Sequence, residues 1–262
     1  MKIAIVTGGS SGIGKAACAT LAEKDCKVYE LSRHEQPERK NIVHVNCDIS
    51  VPEQVEDAVA KVMEAEGRID ILINNAGFGI SGAIEFTSDA DVKKQFEVNF
   101  FGKDKMCRTV VPIMRKQGSG RIVNLSSVAG PVAIPFQAYY SATKAAIANY
   151  TYALLNEVRP FGIEVVAILP GDIHTGFTAA REKSIEGDKE YNGRISHSVS
   201  VMEHDELNGM PSEKAGALVA GYALKKHPAP SYILGNSYKL AVFLQRFLSN
   251  RTFYYIVGKL YS

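Results

Sequence analysis

The sequence predicts one α/β domain over residues 1–262, a doubly wound parallel sheet with helices on both faces. Three observations carry this prediction. Six short apolar runs (IAIV, KVYEL, IVHV, IDILI, RIVNLS and IEVVAIL) alternate with helical stretches. That order implies βαβ units joined by right-handed crossovers. A glycine-rich turn follows the first run directly, at the sheet edge where such folds bind ligands. Finally, 262 residues at 46% hydrophobic suffice for the core of one large domain.

Composition narrows the function classes. A formal net charge of +2 gives no basis for nucleic acid as a partner. Cys18, Cys26, Cys47 and Cys107 lack CxxC or metal-type spacing. They are expected to be reduced, mostly buried thiols in a cytoplasmic protein, with no metal. Met1 and Lys2 lead straight into the first strand, so no signal peptide is expected. No apolar run reaches the roughly 18 residues a membrane span needs, so none is expected.

The first turn reads TGGSSGIG from Thr7 to Gly14, between the strand KIAIV and a helix beginning near KAACATLAEKD. Gly8, Gly12 and Gly14 permit the turn and let backbone approach a pyrophosphate. The free N–H groups and dipole of the helix N-terminus would stabilise that anion. A tight strand-to-helix turn with capping serines is the plainer alternative.

Further on, SVAGPVAIPFQAYYSATK sets Ser127 13 residues before Tyr140 and Lys144 four residues after it. If Tyr140 begins a helix, the i,i+4 spacing stacks phenol and ammonium on one face. A phenol is a poor acid or base at neutral pH, and a cation held close lowers its pKa. Ser127 can hydrogen-bond a substrate oxygen beside it. Such a site suits proton transfer in alcohol and carbonyl chemistry. The same spacings select Tyr140 over Tyr139, and Ser127 over Ser126.

Over residues 2 to 180 these segments resemble the short-chain dehydrogenase/reductase family. The resemblance rests on TGGSSGIG, NNAG from Asn74 to Gly77, NFFG from Asn99 to Gly102, Ser127, Tyr140, Lys144, and PGDIHT from Pro170 to Thr175. It implies a Rossmann-type fold, an enzyme, and a catalytic tetrad of Asn99, Ser127, Tyr140 and Lys144. Asn99 would hold a water linking Lys144 to solvent. Lys144 would also bind the nicotinamide ribose. Proteins of this fold that only sense dinucleotide usually lose the tetrad, and this chain keeps it.

The cofactor contacts follow the motifs. Gly8, Ser10, Ser11, Gly12, Ile13 and Gly14 would cradle the pyrophosphate. Ser32 stands where an NAD-preferring member holds an acid, and Arg33 follows it. A guanidinium suits a 2′-phosphate, so NADP(H) is favoured over NAD(H). The family's other common basic position is Ser11 here. Asp48, with Ile49 beside it, would accept from the adenine amino group. A helix cap by Ser50 and Glu53 shares that segment, as a capping-box spacing. Asn75, Ala76 and Gly77 would pass close to the adenosine ribose, while Asn74 is read equally as structural. Pro170 and Gly171 end the sixth strand, and Ile173 and Thr175 would hold the carboxamide.

The last third speaks to substrate and partners. Residues 177–211 are polar with Gly187, Gly193 and Gly209, and in the family such a segment closes over the substrate. The aromatic tail, residues 238–262, sets Leu240, Phe243, Leu244, Phe247 and Leu248 on one helical face. Core packing or a subunit interface, a substrate lid, and peripheral membrane contact are its three readings. Family resemblance points to a small lipophilic alcohol or ketone, with a hydroxysteroid as best guess, and to a homodimer or homotetramer. A 3-oxoacyl-thioester reductase is the alternative.

Overall fold

A computed structural model describes residues 1–37 and 39–261; Glu38, and Ser262 at the end of the predicted tail, lie outside the described residues. The main sheet holds β1 (Lys2–Thr7), β2 (Cys26–Ser32), β3 (Ile42–Asn46), β4 (Ile71–Asn74), β5 (Gly120–Leu125), β6 (Ile163–Pro170) and β7 (Ser231–Leu234). Their order is β3-β2-β1-β4-β5-β6-β7, with every pairing parallel. The chain order reverses between β1 and β4, which opens a crevice at their carboxyl ends. The six predicted strands are all present. The seventh, SYIL, is not among the predicted runs. It is four residues long and half-exposed at the sheet edge, too short for a periodic signal.

Ten helices flank these strands among the described residues. They are α1 (Gly12–Glu23), α2 (Pro52–Glu66), α3 (Asp89–Phe96), α4 (Gly102–Gln117), α5 (Ala138–Val158), α6 (Phe177–Ala180), α7 (Arg194–Leu207), α8 (Ser212–Leu224), α9 (Asn236–Leu244) and α10 (Asn250–Leu260). Strand β1 shows why its run is apolar throughout. Ile3 and Ile5 enter the core under α2, α4 and α5, while Ala4 and Val6 enter the one under α1 and α8. Successive side chains alternate between faces, and helices cover both.

Three local expectations are corrected. The capping box at Ser50 and Glu53 does not form: Val51 is the N-cap of α2, with Pro52 at the first position. Ser50 instead donates its N–H and hydroxyl to Asp48 Oδ1 at 2.9 and 2.6 Å. The apolar run Leu240–Leu248 is not one helix. It stops at Leu244, and Ser249, accepting from the Thr252 N–H at 3.2 Å, starts α10. Residues 177–211 are more ordered than their polarity suggests. Helix α7 buries Ile195, Ser198, Val199 and Met202, an i, i+3, i+4, i+7 stripe obscured by its serine.

All four cysteines are free and buried. Burial pushes the Cys18 and Cys107 thiols up to about 12, so they are inert as nucleophiles. No helix among the described residues is long and apolar enough to cross a membrane.

Candidate active site

One cleft of about 910 Å³ runs along the carboxyl edge of the sheet and gathers most of the predicted residues. Gly8, Ser10, Ser11, Gly12 and Ile13 line one end. Gly12 lies at φ +51°, a conformation that favours glycine. A Cβ on Gly14 would stand 2.2 Å from the Gly8 carbonyl oxygen, so only glycine lets α1 approach the turn this closely. Ser11 is the N-cap of α1 but its side chain makes no capping bond, and no acid occupies the first turn. The N–H groups there are therefore left without a side-chain acceptor, and the helix dipole favours an anion beside them.

The NNAG residues divide their work. Asn74 is fully buried and donates to Asn124 Oδ1 at 2.9 Å, so it belongs to the core. Asn75 turns its amide onto the glycine turn, donating to the Thr7 and Gly8 carbonyls at 3.1 and 3.0 Å. Ala76 and Gly77 line the cleft. Beyond them lie Ser32, Arg33, Asp48 and Ile49. Asn46 fixes the Arg33 carbonyl at 3.1 Å. Among the described residues the exposed Arg33 guanidinium has no ion-pair partner, so it is available to a ligand anion.

At the other end Tyr140 and Lys144 share the first turns of α5. Lys144 Nζ lies 5.3 Å from the centre of the Tyr140 ring and donates to the Leu125 carbonyl at 3.3 Å. Ser127 Oγ accepts from the Ala129 N–H at 3.1 Å and lines the cleft beside the phenol. Ser126 instead donates to the Lys144 carbonyl at 2.6 Å and holds the helix. Tyr140 lines the cleft and Tyr139 is not among its lining residues.

Asn99 sits in a π-helical turn, Glu97–Phe101, between α3 and α4. Its side chain is fully buried and does not line the cleft. The Asn99 Oδ1 atom accepts from the Phe78 N–H at 3.0 Å, and Nδ2 donates to the Phe78 carbonyl at 2.9 Å. The same Nδ2 donates to Thr143 Oγ1 at 3.3 Å, which donates to the Tyr140 carbonyl at 2.7 Å. Asn99 is thus tied to the Tyr140 turn.

The electrostatics differ from the simple sequence expectation. Burial pushes the Tyr140 phenol up to about 12, partly offset by its hydrogen bond with Ser127. The neighbouring ammonium does not reverse this, because burial also pulls Lys144 down to about 8. A residue that the sequence reading missed opposes this fall, since its hydrogen bond with Lys144 raises the Lys144 pKa. Lys103, fully buried, donates to the same Leu125 carbonyl at 2.5 Å. Burial, then repulsion by Lys144, holds it well below the ordinary lysine value. Its one sequence signal was position: four residues after Asn99, it lies on the same helical side.

Pro170, Gly171, Ile173 and Thr175 close the cleft at β6. A Cβ on Gly171 would meet the Tyr238 ring at 2.0 Å, and the Tyr238 hydroxyl donates to Asp172. This pair docks the tail on the site. Leu244 of α9, Leu248 of the following loop, and Ile256, Val257 and Leu260 of α10 then form an apolar cleft wall. Opposite them, Phe177 of the 177–211 segment packs on the Tyr140 ring at 5.7 Å between centroids.

A glycine cradle with an uncapped helix N-terminus, an unpaired guanidinium and a proton-transfer pair, all on one cleft, fit a dinucleotide and a carbonyl compound. They define an NAD(P)-dependent oxidoreductase. The short chain dehydrogenase family model matches residues 2–186, and the chain belongs to that family. It is 39% identical to a 3-ketodihydrosphingosine reductase of Bacteroides thetaiotaomicron over 229 residues, covering 87% of this chain and 85% of the relative. It is 35% identical to the NADPH-dependent 1-acyldihydroxyacetone phosphate reductase of Saccharomyces cerevisiae, covering 74% and 70%. A short-chain dehydrogenase from Streptomyces avermitilis superimposes with a TM-score of 0.82 at 29% identity, covering 94% and 92% of the two chains.

Proposed function

We propose that this enzyme is an NADPH-preferring reductase of keto lipids, interconverting a lipophilic ketone and its secondary alcohol. The observation that carries this is the shared cleft: Tyr140 and the apolar wall of α9 and α10 face one cavity. The two named relatives support a keto lipid over the hydroxysteroid, since each name specifies a ketone on a lipid. A hydroxysteroid remains the second reading, favoured only by the apolar lining itself.

When bound, the nicotinamide supplies the hydride. The chain's own residues would do the rest. Gly8 to Gly14 and the α1 N-terminus would hold the pyrophosphate, and Ser32 and Arg33 the 2′-phosphate. Asp48, Ile49, Asn75, Ala76 and Gly77 would border the adenosine, and Pro170, Gly171, Ile173 and Thr175 the nicotinamide. Tyr140 would give its proton to the carbonyl oxygen, which Ser127 orients. A phenol held near 12 stays protonated, which suits the reduction direction. Protonated Lys144 would stabilise the phenolate left behind. Asn99 would act through Thr143, holding the Tyr140 turn in place.

NADPH and NADH oxidation should be followed with 3-keto sphingoid bases, acyldihydroxyacetone phosphate, 3-oxoacyl thioesters and ketosteroids. Keto lipids with NADPH are expected to give the highest kcat/KM. Tyr140→Phe should lose on the order of 10²–10⁴ in turnover, and Tyr139→Phe far less. Turnover confined to ketosteroids would overturn the substrate reading, and an active Tyr140→Phe the assignment of the proton donor.

A further inference from the structure

From Lys214 to the C-terminus the sequence contains no Asp or Glu. Its last two helices and the loop between them carry Lys239, Arg246, Arg251 and Lys259 around an apolar surface. That surface is uncovered. Helix α9 buries no residue, and α10 buries only Phe253 and Val257. Phe247 is 72% exposed, Tyr255 67% and Leu240 57%, with Phe243 also exposed beside them. Large apolar side chains clustered in this way mark an interaction surface.

Three facts choose the occupant. Residues 236–261 bring four cations and no Asp or Glu to the patch, which complements an anionic surface. A second copy docked tail to tail would instead bring four cations against four, with no counter-charge from either tail. Second, helices of nine and eleven residues are about 14 and 17 Å long at 1.5 Å per residue. They are too short to cross the roughly 30 Å hydrocarbon layer and long enough to lie along its surface. Third, Leu244, Leu248, Ile256 and Leu260 belong both to the exposed patch and to the cleft wall. The cavity therefore opens through the patch.

We infer that α9 and α10 dock this protein on an anionic lipid bilayer, with the mouth of the cleft facing the membrane. The two helices would sit at the headgroup boundary. Phe243, Phe247 and Tyr255 would point inward, and Arg246 and Arg251 would pair with lipid phosphates. A lipid could then enter the cleft without crossing water. That last consequence rests on the keto-lipid reading; the docking does not.

The test is sedimentation of the full chain with phosphatidylcholine vesicles, with and without phosphatidylserine. Binding is expected only with the anionic lipid and should fall as salt rises. Phe247→Glu with Tyr255→Glu should abolish it. Arg246→Glu with Arg251→Glu should reduce it by about tenfold or more. None of these four residues lines the cleft, so circular dichroism and turnover of a short water-soluble ketone should stay unchanged. An intact chain that stays in the supernatant with anionic vesicles would overturn the inference. So would a doubled mass by light scattering that the same substitutions reverse, since a second copy would then be the occupant. Because docking is read by sedimentation, it can fail while the keto-lipid reading stands, and the reverse.

Discussion

Lys103 and Lys144 donate to one acceptor, the carbonyl oxygen of Leu125, at 2.5 and 3.3 Å. Both side chains are buried, and neither has an ion-pair partner among the described residues. Two ammonium groups in such a place repel and are both desolvated, so they do not ionise together. Lys103 is driven further down than Lys144. Lys103 is thus the weaker base of the pair, and its hydrogen bond with Lys144 raises the Lys144 pKa against burial.

Replacing Lys103 by Met tests this through pH. The hydrogen bond that Lys144 donates to Lys103 raises the Lys144 pKa, while burial pulls it down to about 8. Without that bond Lys144 loses its proton at lower pH. The alkaline limb of kcat/KM should move acidward, and an unmoved limb would refute the coupling. Stability should respond oppositely. The unfolded lysine titrates near 10.5 and the folded one well below. Between those values the unfolded state binds more protons, so the cost of burying Lys103 grows as pH falls below 10.5. Lys103→Met should hold or raise Tm near pH 7, with the gain fading toward alkaline pH.

The coenzyme preference turns on Arg33. Arg33→Ala should reduce the preference for NADPH over NADH by about 1.5–3 kcal/mol, the worth of a hydrogen bond to a charged group. Adding Ser32→Asp should carry it further toward NADH, since a carboxylate accepts from a ribose hydroxyl and repels a phosphate. Kinetics with both coenzymes read this directly. A native enzyme already favouring NADH would remove the role assigned to Arg33.

Much of this was legible in the residues, for physical reasons. The β1 turn declared itself because glycine is required at Gly12 and Gly14 by conformation and close approach. Tyr140 and Lys144 were paired by helical spacing alone. What stayed hidden depended on partners distant in sequence. Lys103 reads as an ordinary helix lysine until Leu125 and Lys144 are brought against it. The seventh strand is an edge strand whose partner, β6, lies some 60 residues upstream. The tail's periodicity ran on to Leu248, but its helix stops at Leu244 and the next starts at the Ser249 cap.

The docking of the tail on the site gives a fourth test, and Asp172 is its pivot. Burial lifts the Asp172 carboxyl to about 6, and the Tyr238 hydrogen bond opposes that rise. Tyr238→Phe should therefore raise it further and loosen α9 from β6. Carboxyl titration followed by NMR should shift alkaline of the native protein, and the reverse shift would deny the contact.

Chain length of the substrate gives the last test. In the intact enzyme the α10 residues Ile256, Val257 and Leu260 supply part of the apolar wall. Burying each substrate methylene contributes up to about 0.8 kcal/mol, about fourfold in kcat/KM. Truncation after Ser249 removes α10 but keeps Tyr238 and Val242, which pack on the core beside Leu169. Cutting at residue 238 would strip that core contact as well and confuse instability with function. For a homologous series of ketones, log kcat/KM should rise with chain length in the intact enzyme. In the truncated one the slope should flatten while the shortest members keep their rates. Parallel slopes in the two proteins would mean that α10 does not touch the substrate, leaving the wall to α9 and to Phe177 on the opposite side.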